Sequence, residues 1–138
     1  MSQQNLDIVR NAYAAFGRGD IPAVVATFDQ NIEWVSPPGS YRVGGVHKGA
    51  DAIIKNFFMV LGEIWENLDV TPREYVDAGD RVFVLGTARG KGKATGKPVA
   101  ASYVHIFEFK NGKVTRFEEY EDTATIREAL QPVTSTIA

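Results

Sequence analysis

PVAASYVHIFEFKNGKVTRFEEYED, residues 98–122, is the stretch on which the fold reading turns. Apolar and polar residues alternate on both sides of Asn111-Gly112. That pair tolerates positive φ at both positions and is the strongest short-range hairpin signal in the chain. A two-residue turn sets Lys110 opposite Lys113. Counting outward then puts Phe107 across from Arg116, His105 across from Glu118 and Tyr103 across from Tyr120. One face of the ribbon is therefore expected to carry Tyr103, His105 and Phe107 from the first strand, with Arg116, Glu118, Tyr120 and Asp122 from the second. The other face receives Val104, Ile106, Phe117, Glu119 and Glu121. The first face mixes aromatics with titratable groups, as the lining of a pocket does.

Upstream, "LDVTPREYVDAGDRVFVLGTARG" keeps the same period of two and reads as another pair of strands, joined at Ala78-Gly79-Asp80. Further upstream the period becomes helical. Leu6, Val9, Tyr13 and Phe16 make one stripe of a helix over residues 3–17. Asp20 caps a short second helix with Pro22 in its first turn. "NIEWVSPP" is a short strand with Ile32 and Trp34 on one face. A third helix runs from Gly49 to about Leu61, and "TATIREAL" closes the fold. Helices followed by a meander of antiparallel strands predict an α+β protein in which helices cover one face of a curved sheet.

The run "RGKGKATGKP", residues 89–98, comes near to a phosphate-binding loop without forming one. Gly92 and Gly96 stand too close for a Walker loop, Pro98 follows Lys97 where a hydroxyl residue belongs, and a strand comes next instead of a helix N-terminus. It reads as a hairpin turn whose lysines solvate the sheet edge. Net charge is −2, with 44% hydrophobic and 23% charged residues, which gives nucleic-acid binding no electrostatic support. There are no cysteines, so a thiol nucleophile, a zinc–thiolate site and a disulfide framework are excluded. The two histidines, His47 and His105, form no metal motif, and no cofactor motif is present. No signal peptide or membrane span is read, so the expectation is a cytoplasmic chain of one domain, residues 1–138, with a core of about 3–130 and a loose tail.

His105 is the foremost candidate for chemistry, because a mid-strand imidazole among apolar neighbours is costly when charged and unpaired. Asp122 ends the hairpin before the last helix, where it can act as a base or cap that helix. Trp34, Tyr103 and Tyr120 are candidate walls for a ligand.

"NAYAAFGRGDIPAVVATFDQNIEWVSPPG", "GVHKGADAIIKNFF", "DAGDRVFVLGTARGKGKATGKP" and "NGKVTRFEEYEDTA" together resemble the SnoaL-like proteins of the nuclear-transport-factor-2-like superfamily, in the ketosteroid isomerase-related group. The resemblance covers roughly residues 3–130. It implies a cone-shaped, cystatin-like α+β fold and a homodimer formed through the sheet, on the face of Val104, Ile106 and Phe117. Where ketosteroid isomerases carry a catalytic Asp, this sequence has Ser36. Their helical oxyanion-hole Tyr falls at Ala12, with Tyr13 one step off, and their second oxyanion-hole Asp matches His105. The acid that SnoaL-like cyclases and limonene epoxide hydrolases use at the end of the last strand matches Asp122, while Thr87 and Arg89 stand near the hydrolases' Arg and Asp. The resemblance thus implies an isomerase, cyclase or lyase acting on a small apolar carbonyl compound, with Asp122 as base and His105 as hydrogen-bond donor. A noncatalytic ligand-binding or dimerisation module of the same fold is the alternative.

Overall fold

The computed structural model describes residues 2–131. The expected loose tail falls almost entirely outside them. Helix α1, Ser2–Gly17, buries Val9 in the main core with Leu6 and Tyr13 packed beside it; Ala15 is buried as well, and Phe16 lines the interior cavity. Helix α2, Ile21–Val25, starts where the Asp20 carboxylate accepts a hydrogen bond from the Ala23 N–H at 3.1 Å. Strand β1, Phe28–Ser36, alternates so that Ile32, Trp34 and Ser36 point inward. A short strand β2, Gly45–Lys48, then pairs back on β1; it carries no pattern of its own, and His47 sits on it.

The third helical segment is longer than its spacing predicts. It runs as α3, Ala50–Ile53, a π-helical stretch over Ile54–Phe58, and α4, Met59–Ile64. The wider π turn lets the successive residues Phe57 and Phe58 both reach the interior. Four long strands follow: β3, Trp65–Asp77; β4, Arg81–Gly92; β5, Pro98–Lys110; and β6, Lys113–Glu121. Helix α5, Thr123–Leu130, covers one end of the interior with Ile126, Ala129 and Leu130.

The strands form a six-stranded sheet in the order β2-β1-β6-β5-β4-β3. It is mixed, where a fully antiparallel sheet was expected: β1 runs parallel to β6 and all other neighbours are antiparallel. The register of β3 on β4 slips twice, between Glu66 and Asp69 and between Pro72 and Glu74, and such irregularities bend a long ribbon into a curved wall. Inside it Ile32, Ile53, Val82 and Val84 are wholly buried, each contributing roughly 1.5–3 kcal/mol of apolar burial. Residues 93–97 form the β4–β5 turn, where the Lys93 and Lys97 ammonium groups donate to the carbonyls of Gly62 and Glu128. No helix among the described residues is long and apolar enough to cross a membrane.

The β5–β6 hairpin turns at Asn111 (φ 53°) and Gly112 (φ 76°), with Lys110 opposite Lys113 as read from the sequence. Beyond the turn the register departs from expectation. A β-bulge sets both Thr115 and Arg116 against Glu108, and the Thr115 hydroxyl donates to the Glu108 carbonyl. Every residue of β6 after it therefore changes face. Phe117, expected outside with Val104 and Ile106, is 2% exposed in the core.

Candidate functional site

The concave face of the sheet and the helices over it enclose a cavity of about 120 Å³. An engineered cavity of about 150 Å³ is known to hold benzene, so this one is scaled to a single ring. Its wall is nearly all apolar and aromatic. Trp34 stacks on Phe117 with centroids 3.7 Å apart, and Tyr103 stacks on His105 at 3.9 Å.

Polar groups enter this wall along one line. Phe107, His105 and Tyr103 point inward from β5, and Phe117, Glu119 and Glu121 from β6. His105 lies directly across from Glu119, not Glu118. The Tyr13 hydroxyl, kept protonated by burial, shares a hydrogen bond of 2.5 Å with His105 Nδ1. The other ring nitrogen, Nε2, faces Glu119 Oε1 at 3.7 Å, too far for a hydrogen bond. Ser36 Oγ donates to Glu119 Oε2 at 2.6 Å, and Ser40 Oγ to Glu121 Oε2 at 2.9 Å.

Burial acts on the two central groups in opposite directions, because each resists its own charged form. It lowers the His105 pKa to about 3. It raises that of Glu119 to about 8; the nearby Glu121 carboxylate adds to the rise and the Ser36 hydrogen bond offsets part of it. At neutral pH the pair is a carboxylic acid beside a neutral imidazole, so their proximity is not an ion pair. Glu121 is raised as well, again through burial.

The expected site residues divide. Trp34, Tyr103 and His105 line the cavity together. Tyr120 is 51% exposed on the outer face, where its hydroxyl donates to Glu118. Asp122 is exposed at the start of α5. Its carboxylate accepts from the Thr125 N–H at 3.1 Å and the Thr125 hydroxyl at 2.6 Å, and these bonds lower its pKa. The bulge is the physical reason for both corrections: it moves Tyr120 and Asp122 off the face that a regular register would give them. Glu119, Glu121 and Tyr13 are the cavity groups that the sequence reading missed. A signal for them was present. Val114 and Phe117 are the apolar residues of β6, and an odd spacing of three cannot place both inside a regular strand. Among the described residues no group of three or more His, Cys, Asp or Glu could hold a metal ion.

The model of the SnoaL-like domain family matches residues 9–117. Among solved structures, an NTF2-like protein of Burkholderia thailandensis is 34% identical, covering 93% of this chain and 98% of its own, with a TM-score of 0.88. TerC, crystallised with polyporic acid, is 30% identical over 91% of this chain and 97% of its own, with a TM-score of 0.83. An uncharacterised protein of Mycobacterium tuberculosis is 25% identical over 116 residues, 84% of this chain and 87% of that protein.

Proposed function

This chain belongs to the SnoaL-like domain family, and from that premise we propose that it is a small-molecule enzyme of isomerase, cyclase or lyase type. Its substrate is a small, mostly apolar carbonyl compound, and its chemistry is proton transfer by Glu119. The observation that carries the reading is a carboxyl buried in an apolar cavity beside a neutral imidazole, with its pKa near 8. A proton carrier works best when its pKa lies near the working pH, where it can both take and return a proton. The ionised fraction of Glu119 takes a proton from the carbon beside the carbonyl. The electron pair of the broken C–H bond moves onto the carbonyl oxygen, and the proton returns from the carboxyl to carbon. In the tautomer whose Nδ1 accepts from Tyr13, His105 carries its proton on Nε2 and supplies a hydrogen bond to that oxygen as its charge develops. Glu119 thus takes the part that the sequence alone suggested for Asp122. The polyporic acid held by TerC supports a ring compound as ligand.

The test is deuterium exchange. Small cyclic ketones incubated with the protein in D₂O should lose α-hydrogen signal by NMR faster than in buffer, and Glu119→Gln should abolish the acceleration. Equal exchange with the wild type and the variant would reduce the protein to a binding module.

A homodimer through the outer sheet face is part of the same proposal. Phe83, Leu85, Val104 and Ile106 are only half-buried there, and Tyr120 is exposed. Sedimentation should show a dimer that Ile106→Glu splits, and a monomeric wild type at micromolar concentration would count against it.

A further inference from the structure

Three rings of the cavity wall are joined by hydrogen bonds. Tyr103 and His105 point inward from β5, stacked with centroids 3.9 Å apart and 4% and 9% exposed. Tyr13 of α1 holds its ring parallel to the imidazole at 5.9 Å. Its hydroxyl bonds His105 Nδ1 at 2.5 Å, and a second hydrogen bond joins it to the Tyr103 phenol. Tyr103 Oη meets no other partner among the described residues and is closed off from solvent. The ring cannot carry it elsewhere, because it fills the space that Gly86 leaves empty: a Cβ on Gly86 would stand 2.4 Å from the hydroxyl.

The protons of this row can be counted. Each phenol carries one, the neutral imidazole carries one, and a buried donor needs an acceptor. If Tyr13 donated to Tyr103, His105 would donate from Nδ1 to Tyr13, and the Tyr103 proton would have nowhere to go. In the reverse order Tyr103 donates to Tyr13 and Tyr13 donates to His105 Nδ1. Both phenol protons are then placed, and the imidazole proton stands on Nε2, the nitrogen that faces Glu119. One unmet buried donor disfavours the first order by roughly 5- to 150-fold.

We propose that Tyr103 and Tyr13 are positioning residues that hold His105 in the Nε2–H tautomer, so that the empty cavity already presents a hydrogen-bond donor to an occupant's acceptor atom. Only the use of that N–H in catalysis rests on the proposed reaction; the tautomer itself does not. The two phenols contribute unequally. Without the Tyr13 hydroxyl, Nδ1 is left unmet and the acid proton of Glu119 competes for Nε2. Without the Tyr103 hydroxyl, Tyr13 still has a single acceptor, and the order is kept.

The experiment is ring ¹⁵N NMR on the labelled full chain, just above the ordinary imidazole pKa of about 6.5. His47 supplies a reference in the same spectrum. Its Nε2 lies 2.8 Å from the Val43 carbonyl, which only accepts, so that ring is fixed as Nε2–H. Wild-type His105 should match it, with Nε2 protonated and Nδ1 bare. Tyr103→Phe should leave this pattern unchanged, whereas Tyr13→Phe should move it toward a mixture of tautomers. A role in packing alone would not separate the two variants, since each keeps its ring. Cyclohexanone and methylenecyclohexane, alike in shape but not in acceptor, read the consequence in binding. The ratio of their affinities should turn against the ketone by roughly 2- to 10-fold in Tyr13→Phe and stay as it is in Tyr103→Phe. A wild-type His105 protonated on Nδ1 overturns the proposal without any variant. So does a Tyr13→Phe protein whose His105 still matches His47, or whose affinity ratio is unmoved. The Nε2–H tautomer without deuterium exchange leaves this inference standing and removes the catalytic reading. Exchange with His105 protonated on Nδ1 removes this inference and leaves proton transfer by Glu119.

Discussion

Glu119 and Asp122 stand three positions apart and are held in much the same way, yet they are chemically opposite. Each carboxyl receives a hydroxyl hydrogen bond of 2.6 Å, from Ser36 in one case and Thr125 in the other. In both, that bond pulls the pKa down. At Asp122 desolvation is too weak to resist, because the group is open to water, and it remains an ionised carboxylate capping α5. At Glu119 the same bond is overruled by burial and by the neighbouring Glu121. What decides between a cap and a proton carrier is the amount of water around the group, not its hydrogen bonds.

The strongest way to break this contrast is to let water in. Phe117→Ala removes the ring that stacks on Trp34 and stands edge-on to His105, and should cost about 3–5 kcal/mol in chemical denaturation. In the same variant the Glu119 carboxyl, followed by ¹³C NMR, should titrate well below 8. A value still near 8 would show that the wall is not what keeps the proton on Glu119.

Glu119→Gln comes next. Turnover in the exchange assay should fall at least about 100-fold. Its stability effect depends on pH. The unfolded chain ionises Glu119 near 4.5 and the folded one near 8, so this group's contribution is complete below pH 4.5 and is lost as pH rises to 8. His105 runs the other way: its pKa falls from 6.5 to about 3, so its contribution is present above pH 6.5 and is lost as pH falls toward 3. The two slopes oppose each other between 4.5 and 6.5, which leaves a net loss of stability from 6.5 to 8. Gln should remove most of that loss and leave only the share due to Glu121. Calorimetry at pH 8 should therefore find the variant more stable than the wild type. A less stable variant would mean that Glu119 is ionised in the folded protein.

Smaller shifts test the neighbours. Ser36→Ala removes a bond that favours the ionised form and should move the Glu119 titration upward, whereas Glu121→Gln removes a repelling charge and should move it downward. Opposite signs are the prediction, read from the pH profile of exchange; shifts in the same direction would contradict it. The smallest effect belongs to Asp122. Asp122→Ala should lower the melting temperature by only a few degrees, as lost helix caps do, and leave exchange unchanged. Loss of exchange in that variant would restore Asp122 to the site.

The helices, the hairpin turn and the pocket-facing residues of β5 were legible because each rests on local pattern: the stripe from Leu6 to Phe16, the Asn111-Gly112 pair, the alternation from Tyr103 to Phe109. The cone was legible from the resemblance to SnoaL-like proteins. The parallel pairing of β1 with β6 was not, since it joins segments about 80 residues apart and neither strand carries a mark of its partner's direction. Half of the site was lost to a single residue. Thr115 is an unremarkable strand residue, and a bulge there leaves no glycine or proline to announce it. Only the odd spacing of Val114 and Phe117 records it, together with the cost of burying Arg116 while exposing a phenylalanine.

The chain has two tryptophans and five tyrosines. Trp34 and Trp65 both belong to the cavity wall, as do Tyr13, Tyr41 and Tyr103. Nearly all the ultraviolet emission of this protein therefore originates within contact distance of whatever fills the interior. An occupant that absorbs near the indole emission band would darken both tryptophans at once, so the unlabelled protein serves as its own optical gauge of occupancy, and a compound collection can be surveyed by brightness alone.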